Sequence, residues 1–181
     1  ELNIDEILKT KEEDIFKRLN PIYDLIKITL KDRALINKDL IGFVGATWTI
    51  LVYMLNRESP KNNLDKNIFN HEYLEELISK IVYTQKLHIK KQVESGATII
   101  QIFDSWAGLL DEDKKNKYIY KPTKEIVEFT KSLGVEVICF PRSIKSYKDF
   151  CEVVKPSAIN IDYDVDPYKI SKEINLPIQG G

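Results

Sequence analysis

Residues 97–104 read Ala97-Thr98-Ile99-Ile100-Gln101-Ile102-Phe103-Asp104, with Gly96 before them and a polar loop after. A short run this apolar and this rich in isoleucine is a strand buried on both faces, as in a parallel sheet. Upstream, His71 to Ser95 carries Leu74, Leu77, Ile78, Ile81, Val82, Leu87 and Val93 at helical spacing. That predicts a long amphipathic helix, stopped by Gly96. Downstream, Pro122 to Leu133 is a second helix, stopped by Gly134, and Val135 to Phe140 a second strand. Parallel strands need a long crossover, so strand, helix and strand in this order form a βαβ unit.

The rhythm continues outward. Towards the C-terminus come a helix over Tyr147–Val154, a strand over Ala158–Asp162, a helix over Pro167–Ile174 capped by Asp166, and a strand opening at Leu176. Towards the N-terminus, Leu40 to Ala46 is a strand, and Thr47 is placed to cap a helix running from Trp48 to Leu55. A polar stretch, Asn56 to Asn70, follows as a loop. From Ile4 to Ala34 apolar residues again recur at helical spacing, with Asn20-Pro21 reading as a helix start. The fold class is α/β, either a doubly wound sheet or a (β/α)8 TIM barrel. No phosphate-cradling GxGxxG supports the first. About five strands are too few for a whole barrel of typically about 250 residues. The expectation is one unit, residues 1–181, forming the central part of a barrel whose N-terminal and C-terminal parts are absent. The outermost strands should then leave raw sheet edges.

The chain has 181 residues, 27 basic and 28 acidic, a net charge of −1. That balance argues against a nucleic-acid or polybasic membrane surface. No apolar run reaches the roughly 18 residues of a membrane span. The acidic, amphipathic start is unlike a secretory signal. Cys139 and Cys151 have no metal-like spacing and fit a reducing compartment; a cytoplasmic location is expected. The single Met is Met54 and the chain begins at Glu1, which suggests processing or a fragment.

Active groups in parallel α/β architecture sit at the C-terminal ends of strands. Four segments qualify. Gly45-Ala46-Thr47-Trp48-Thr49 opens a helix that carries Tyr53, although Trp48 and Tyr53 read more simply as packing residues. In Phe103-Asp104-Ser105-Trp106-Ala107-Gly108, strand alternation puts Phe103 and Ser105 on one side and Asp104 on the other. Ser105 can donate to an anionic substrate, beside Phe103 as an apolar wall. Without a Gly-x-Ser-x-Gly elbow or a histidine at a strand end it is no nucleophile; Asp104 reads as an orienting or structural acid. Arg142, in Phe140-Pro141-Arg142-Ser143, reads as a solvated loop residue. The acids of Asn160-Ile161-Asp162-Tyr163-Asp164 read as capping and hydrogen-bonding groups rather than a metal site. His71 and His88 lie within helix, and Asp111 to Lys117 reads as charged loop.

These segments resemble the motifs of the uroporphyrinogen decarboxylase family. Ile41-Gly42-Phe43-Val44-Gly45-Ala46-Thr47-Trp48-Thr49 with Tyr53-Met54 is similar to its GFxGAPWT…YM motif. Gln101 to Gly108 resembles QxFDSWAG almost letter for letter, Ile161-Asp162-Tyr163 its LDW, and Ile178-Gln179-Gly180 its LQG. Thr47 stands where the family has proline, which should loosen that turn, and Gly181 where it commonly has asparagine. The resemblance implies a (β/α)8 barrel, usually a cytoplasmic homodimer. It implies removal of carbon dioxide from the acetate side chains of uroporphyrinogen III to give coproporphyrinogen III, with no metal or organic cofactor. The family's catalytic tyrosine falls on Tyr53, which also binds substrate; its serine falls on Ser105, and an apolar cleft residue on Phe103. The arginine-bearing loop and pyrrole-binding aspartate would lie before Glu1 and the histidine after Gly181, so the 181-residue chain alone is expected to be inactive. Two alternatives differ in class. A cobalamin-linked methyltransferase of the same fold would hold zinc through a His-x-Cys where Phe140-Pro141-Arg142 stands. A truncated, non-catalytic relic is countered by periodicity that stays intact to the last residue.

Overall fold

Five strands lie in a single parallel sheet whose spatial order, β1-β2-β3-β4-β5, is their order along the chain. They span Ile41–Gly45, Ile99–Asp104, Glu136–Pro141, Ala158–Asn160 and Ile178–Gln179. A computed structural model describes residues 3–56, 59–60 and 64–180. Part of the expected 56–70 loop and Gly181 lie outside the described residues. A doubly wound sheet reverses its strand order at a switch point; this one never reverses. It is also rolled. Gln101 on β2 donates through Nε2 to Gln179 Oε1 on β5 at 3.0 Å, although β3 and β4 lie between. Three flat strand spacings would hold those backbones about 14 Å apart with their side chains upright. Only on the inside of a curved sheet do such side chains converge, so the four βα units and the fifth strand form an arc of barrel.

Alternation divides the two faces. Val44, Ile100, Ile102, Val137, Cys139 and Ile159 are buried beneath helices. Phe43, Phe103, Ile138, Phe140 and Asn160 point to the concave side and keep partial or full exposure. The longest helix of the convex layer, α4 (Leu74–Glu94), buries Leu77, Ile81 and Ile89. It stops at Gly96, whose φ of +114° lies in the left-handed region that favours glycine. Helix α6 (Lys121–Ser132) buries Ile126 and Val127, and α7 (Tyr147–Val154) buries Phe150 and Val154. Asp166 caps α8 (Pro167–Glu173) as expected, accepting from the Tyr168 N–H.

The outer edge of β1 is not raw. Gln92 of α4 donates to the Phe43 carbonyl at 3.1 Å and accepts from the Phe43 N–H at 3.0 Å. Gln85, seven residues earlier on the same helix face, donates to the Gly45 carbonyl at 2.6 Å. Two buried amides thus stand in for a neighbouring strand.

Three local expectations are corrected. Asn20-Pro21 does not start a helix: α2 runs from Glu12 to Thr29 with Pro21 inside it. Three acids in its first turn favour a start at Glu12, and Asn20 donates to Asp24 instead of capping. Pro21 is exposed, so water can satisfy the carbonyl it leaves unpaired. Thr47 does not cap α3 (Thr47–Leu55), whose N-cap is Ala46. Its hydroxyl donates to Gln85 Oε1 at 2.7 Å, which anchors rather than loosens the turn. The charged run 111–117 is not a loop. It holds the short helix α5 (Glu112–Lys115) and enters a π-helical turn, Asn116–Tyr120, leading into α6. Lys115 is 2% exposed, its stem buried and its ammonium on Glu112 at 2.6 Å.

Candidate active site at the strand ends

The first candidate helix, α3, leaves the C-terminal end of β1. Trp48 packs as expected, fully buried and stacked on Phe69 at 5.9 Å. Tyr53 does not: it is 51% exposed and meets Trp106 edge to face, at 6.0 Å and 71°. A large amphipathic ring left open in this way is available to a ligand.

The second segment leaves β2. Phe103 faces the concave side between Phe43 at 6.0 Å and Phe140 at 6.3 Å, each edge to face. Three neighbouring strands therefore present one aromatic row. Ser105, in the turn that follows β2, is half-buried, and its hydroxyl meets no hydrogen-bond partner among the described residues. Phe103 is thus the middle of the aromatic row, Ser105 follows two residues later just past β2, and Tyr53 meets Trp106, the residue after Ser105. A groove of about 440 Å³ runs beside β1, lined in part by Phe43, Gly45, Ile50 and Met54. It includes none of Tyr53, Phe103 and Ser105.

Asp104 points the other way, into the convex layer. Its Oδ1 accepts from Thr49 Oγ1 at 2.7 Å, while Oδ2 has no partner among the described residues. Burial pushes its carboxyl up to about 7, against the opposing pull of the Thr49 hydroxyl and the Trp106 N–H. Its backbone carbonyl accepts from the Arg142 N–H, and the Arg142 carbonyl from the Gly108 N–H. Gly108 is required there, because a Cβ would stand 2.5 Å from the Ser143 Cβ. Asp162 is a hydrogen-bonding acid, as its sequence context implied. It accepts from the Ser143 N–H and the Tyr147 hydroxyl, both at 2.7 Å. The side chain of Arg142 is exposed at the rim.

Sequence reasoning missed the inward amides and Thr49. Gln179 Oε1 accepts from both Gln101 and Asn160, making a polar patch on the concave face. Counting back by two from Phe103 points to Gln101; its partners emerge only with the sheet register. Among the described residues the site offers no set of zinc ligands. Phe140-Pro141-Arg142 carries neither nitrogen nor sulfur donors of the required kind. Cys139 is turned to the convex side, with its thiol pushed up by burial. Among the described residues no group of three His, Cys, Asp or Glu could hold a metal.

The uroporphyrinogen decarboxylase family model matches residues 2–181. The chain belongs to the uroporphyrinogen decarboxylase family. It is 36% identical over 151 residues to uroporphyrinogen decarboxylase of Campylobacter jejuni strain 81-176, covering 81% of this chain and 44% of that one. With the Wolbachia pipientis wMel enzyme it shares 37% over 172 residues, 93% of this chain and 50% of the relative. The chain thus spans about half the length of the curated relatives it matches. A methyltransferase from Methanosarcina mazei shares the fold, with a TM-score of 0.56 at 15% identity over 91% of this chain and 58% of the other.

Proposed function

We propose that this chain supplies the substrate-facing mouth of a uroporphyrinogen decarboxylase, a carboxy-lyase. Residues 1–181 are read as the central part of a single barrel, working as a cytoplasmic homodimer at the relatives' full length. The observation that carries the reading is an aromatic row on the concave face, followed along β2 by a serine hydroxyl with no partner among the described residues and by Trp106, which meets an open tyrosine. Phe43, Phe103 and Phe140 offer a macrocycle an apolar wall, and Ser105 and Tyr53 offer hydrogen-bond donors for its carboxylates. Tyr53 is the catalytic candidate. In the reaction a pyrrole carbon takes a proton, and the bond to the acetate carboxylate breaks with its electron pair entering the ring. Carbon dioxide leaves, the remaining methylene is protonated to a methyl group, and the ring carbon gives up the proton it took, which restores the pyrrole. The ring is its own electron sink, so the protein's task is to hold a polyanion and stabilise a transient cation.

The test grafts this segment in place of the matching half of the C. jejuni relative and assays uroporphyrinogen III. Formation of coproporphyrinogen III by the graft, with none from the 181-residue chain alone, is expected. A folded graft that forms none overturns the reading.

A further inference from the structure

We propose that Thr49 is a positioning residue of this site, its hydroxyl locking the helix that carries Tyr53 onto the loop that carries Ser105; the role in catalysis rests on the decarboxylase reading above. Thr49 Oγ1 donates to Asp104 Oδ1 at 2.7 Å and accepts from the Trp106 N–H at 3.3 Å. Next to it on α3, Trp48 Nε1 donates to the Trp106 carbonyl at 3.1 Å. Two consecutive residues of α3 therefore hold both backbone polar groups of Trp106. Four residues on from Thr49, and so on the same side of the helix, Tyr53 rests its ring on the Trp106 side chain. Ser105 lies between Asp104 and Trp106, the two residues that Thr49 binds. One hydroxyl thus sets the spacing between the two candidate hydroxyl groups of the mouth.

The chemistry is particular to a hydroxyl. It must donate to a carboxylate and accept from an N–H at once, which serine and threonine can do and valine cannot. The clamp is dry: Thr49 is 5% and Asp104 3% exposed. Asp104 Oδ2 has no partner among the described residues, so Thr49 is the one side chain seen to hold this carboxyl. Water has little access to repair the loss.

The experiment compares Thr49→Val and Thr49→Ser in the grafted enzyme. Misplacement of a reacting group by about 1 Å can cost about 100-fold in rate, so Thr49→Val is expected to lose about 10- to 100-fold in kcat with KM changed by less than about 3-fold. Thr49→Ser should restore kcat to within about 3-fold of the parent. Amide exchange at Trp106 should quicken in Thr49→Val and stay slow in Thr49→Ser, a readout independent of activity. If Thr49→Val does not fold, Thr49→Cys, with its weaker donor, is read by the same two measurements. A folded variant with parental kcat, or a Thr49→Ser as impaired as Thr49→Val, overturns the proposal. A parent graft that makes no product overturns the decarboxylase reading instead, and Trp106 exchange still decides whether the clamp exists.

Discussion

The two faces of the sheet are cut from alternate residues of the same strands, yet they are built for different ends. The convex face is aliphatic, with Val44, Ile100, Ile102, Val137 and Ile159 sealed beneath helices. The concave face is aromatic and polar, with Phe43, Phe103 and Phe140 in one row beside the amides of Gln101, Asn160 and Gln179. Phe43 remains 64% exposed. Burial maximises stability on the first; open aromatic and polar groups on the second are what a ligand needs. A slip of one residue would exchange them, so the register of β2 sets both stability and site.

The largest expected break in this contrast is Ile102→Ala. It leaves a cavity in the sealed layer and should cost about 2–5 kcal/mol, read from denaturant midpoints. Phe103→Ala, the adjacent residue on the half-exposed face, should cost less stability and raise KM.

Asp104 is the polar exception within the convex layer. Burial raises its folded-state pKa from 3.8 to about 7. The folded protein then keeps a proton that the unfolded chain has released. Its stabilising effect is full below about pH 3.8 and is lost as pH rises through about 7. Stability should fall across that window by at most about 1.4 kcal/mol per pH unit. Asp104→Asn should flatten the slope, and an unchanged slope would remove Asp104 as its source.

On α3, Tyr53→Phe should cost about 1–3 kcal/mol of transition-state stabilisation in the grafted enzyme, with Tm unmoved. The smallest effect is expected at the sheet edge. Gln92→Ala frees the Phe43 N–H and carbonyl, and should lower stability by about 1 kcal/mol while quickening amide exchange at Phe43. Slow exchange there in the variant would show that another group closes the edge.

Much of this contrast was legible in the residues. The Ile-rich run before Asp104 marked a buried strand, Gly96 marked the end of α4, and α7 has the bounds expected of it, Tyr147 to Val154. Motif resemblance brought Tyr53, Phe103 and Ser105 forward; Phe103 stands in the aromatic row of the concave face, Ser105 follows the end of β2, and Tyr53 meets Trp106 from α3. What escaped depends on distance along the chain. Thr49 sits in an apolar run, and its partner Asp104 is 55 residues away. Gln101 meets Gln179 across 78 residues, and only because the sheet curls. Lys115 looked like solvated charge because composition does not reveal a buried stem ending on a nearby acid. Pro21 looked like a helix start because local preference favours one, but the first-turn acids and the buried face of α2 prevailed.

The central claim is that the concave face carries the chemistry and the convex face the stability. Its most direct test measures kcat/KM and Tm together for Ser105→Ala and Ile102→Ala in the grafted enzyme. The account predicts that Ser105→Ala loses about 10- to 100-fold in kcat/KM at parental Tm, while Ile102→Ala loses Tm and, assayed well below it, keeps kcat/KM. The reverse pattern, or full activity in Ser105→Ala, would contradict it.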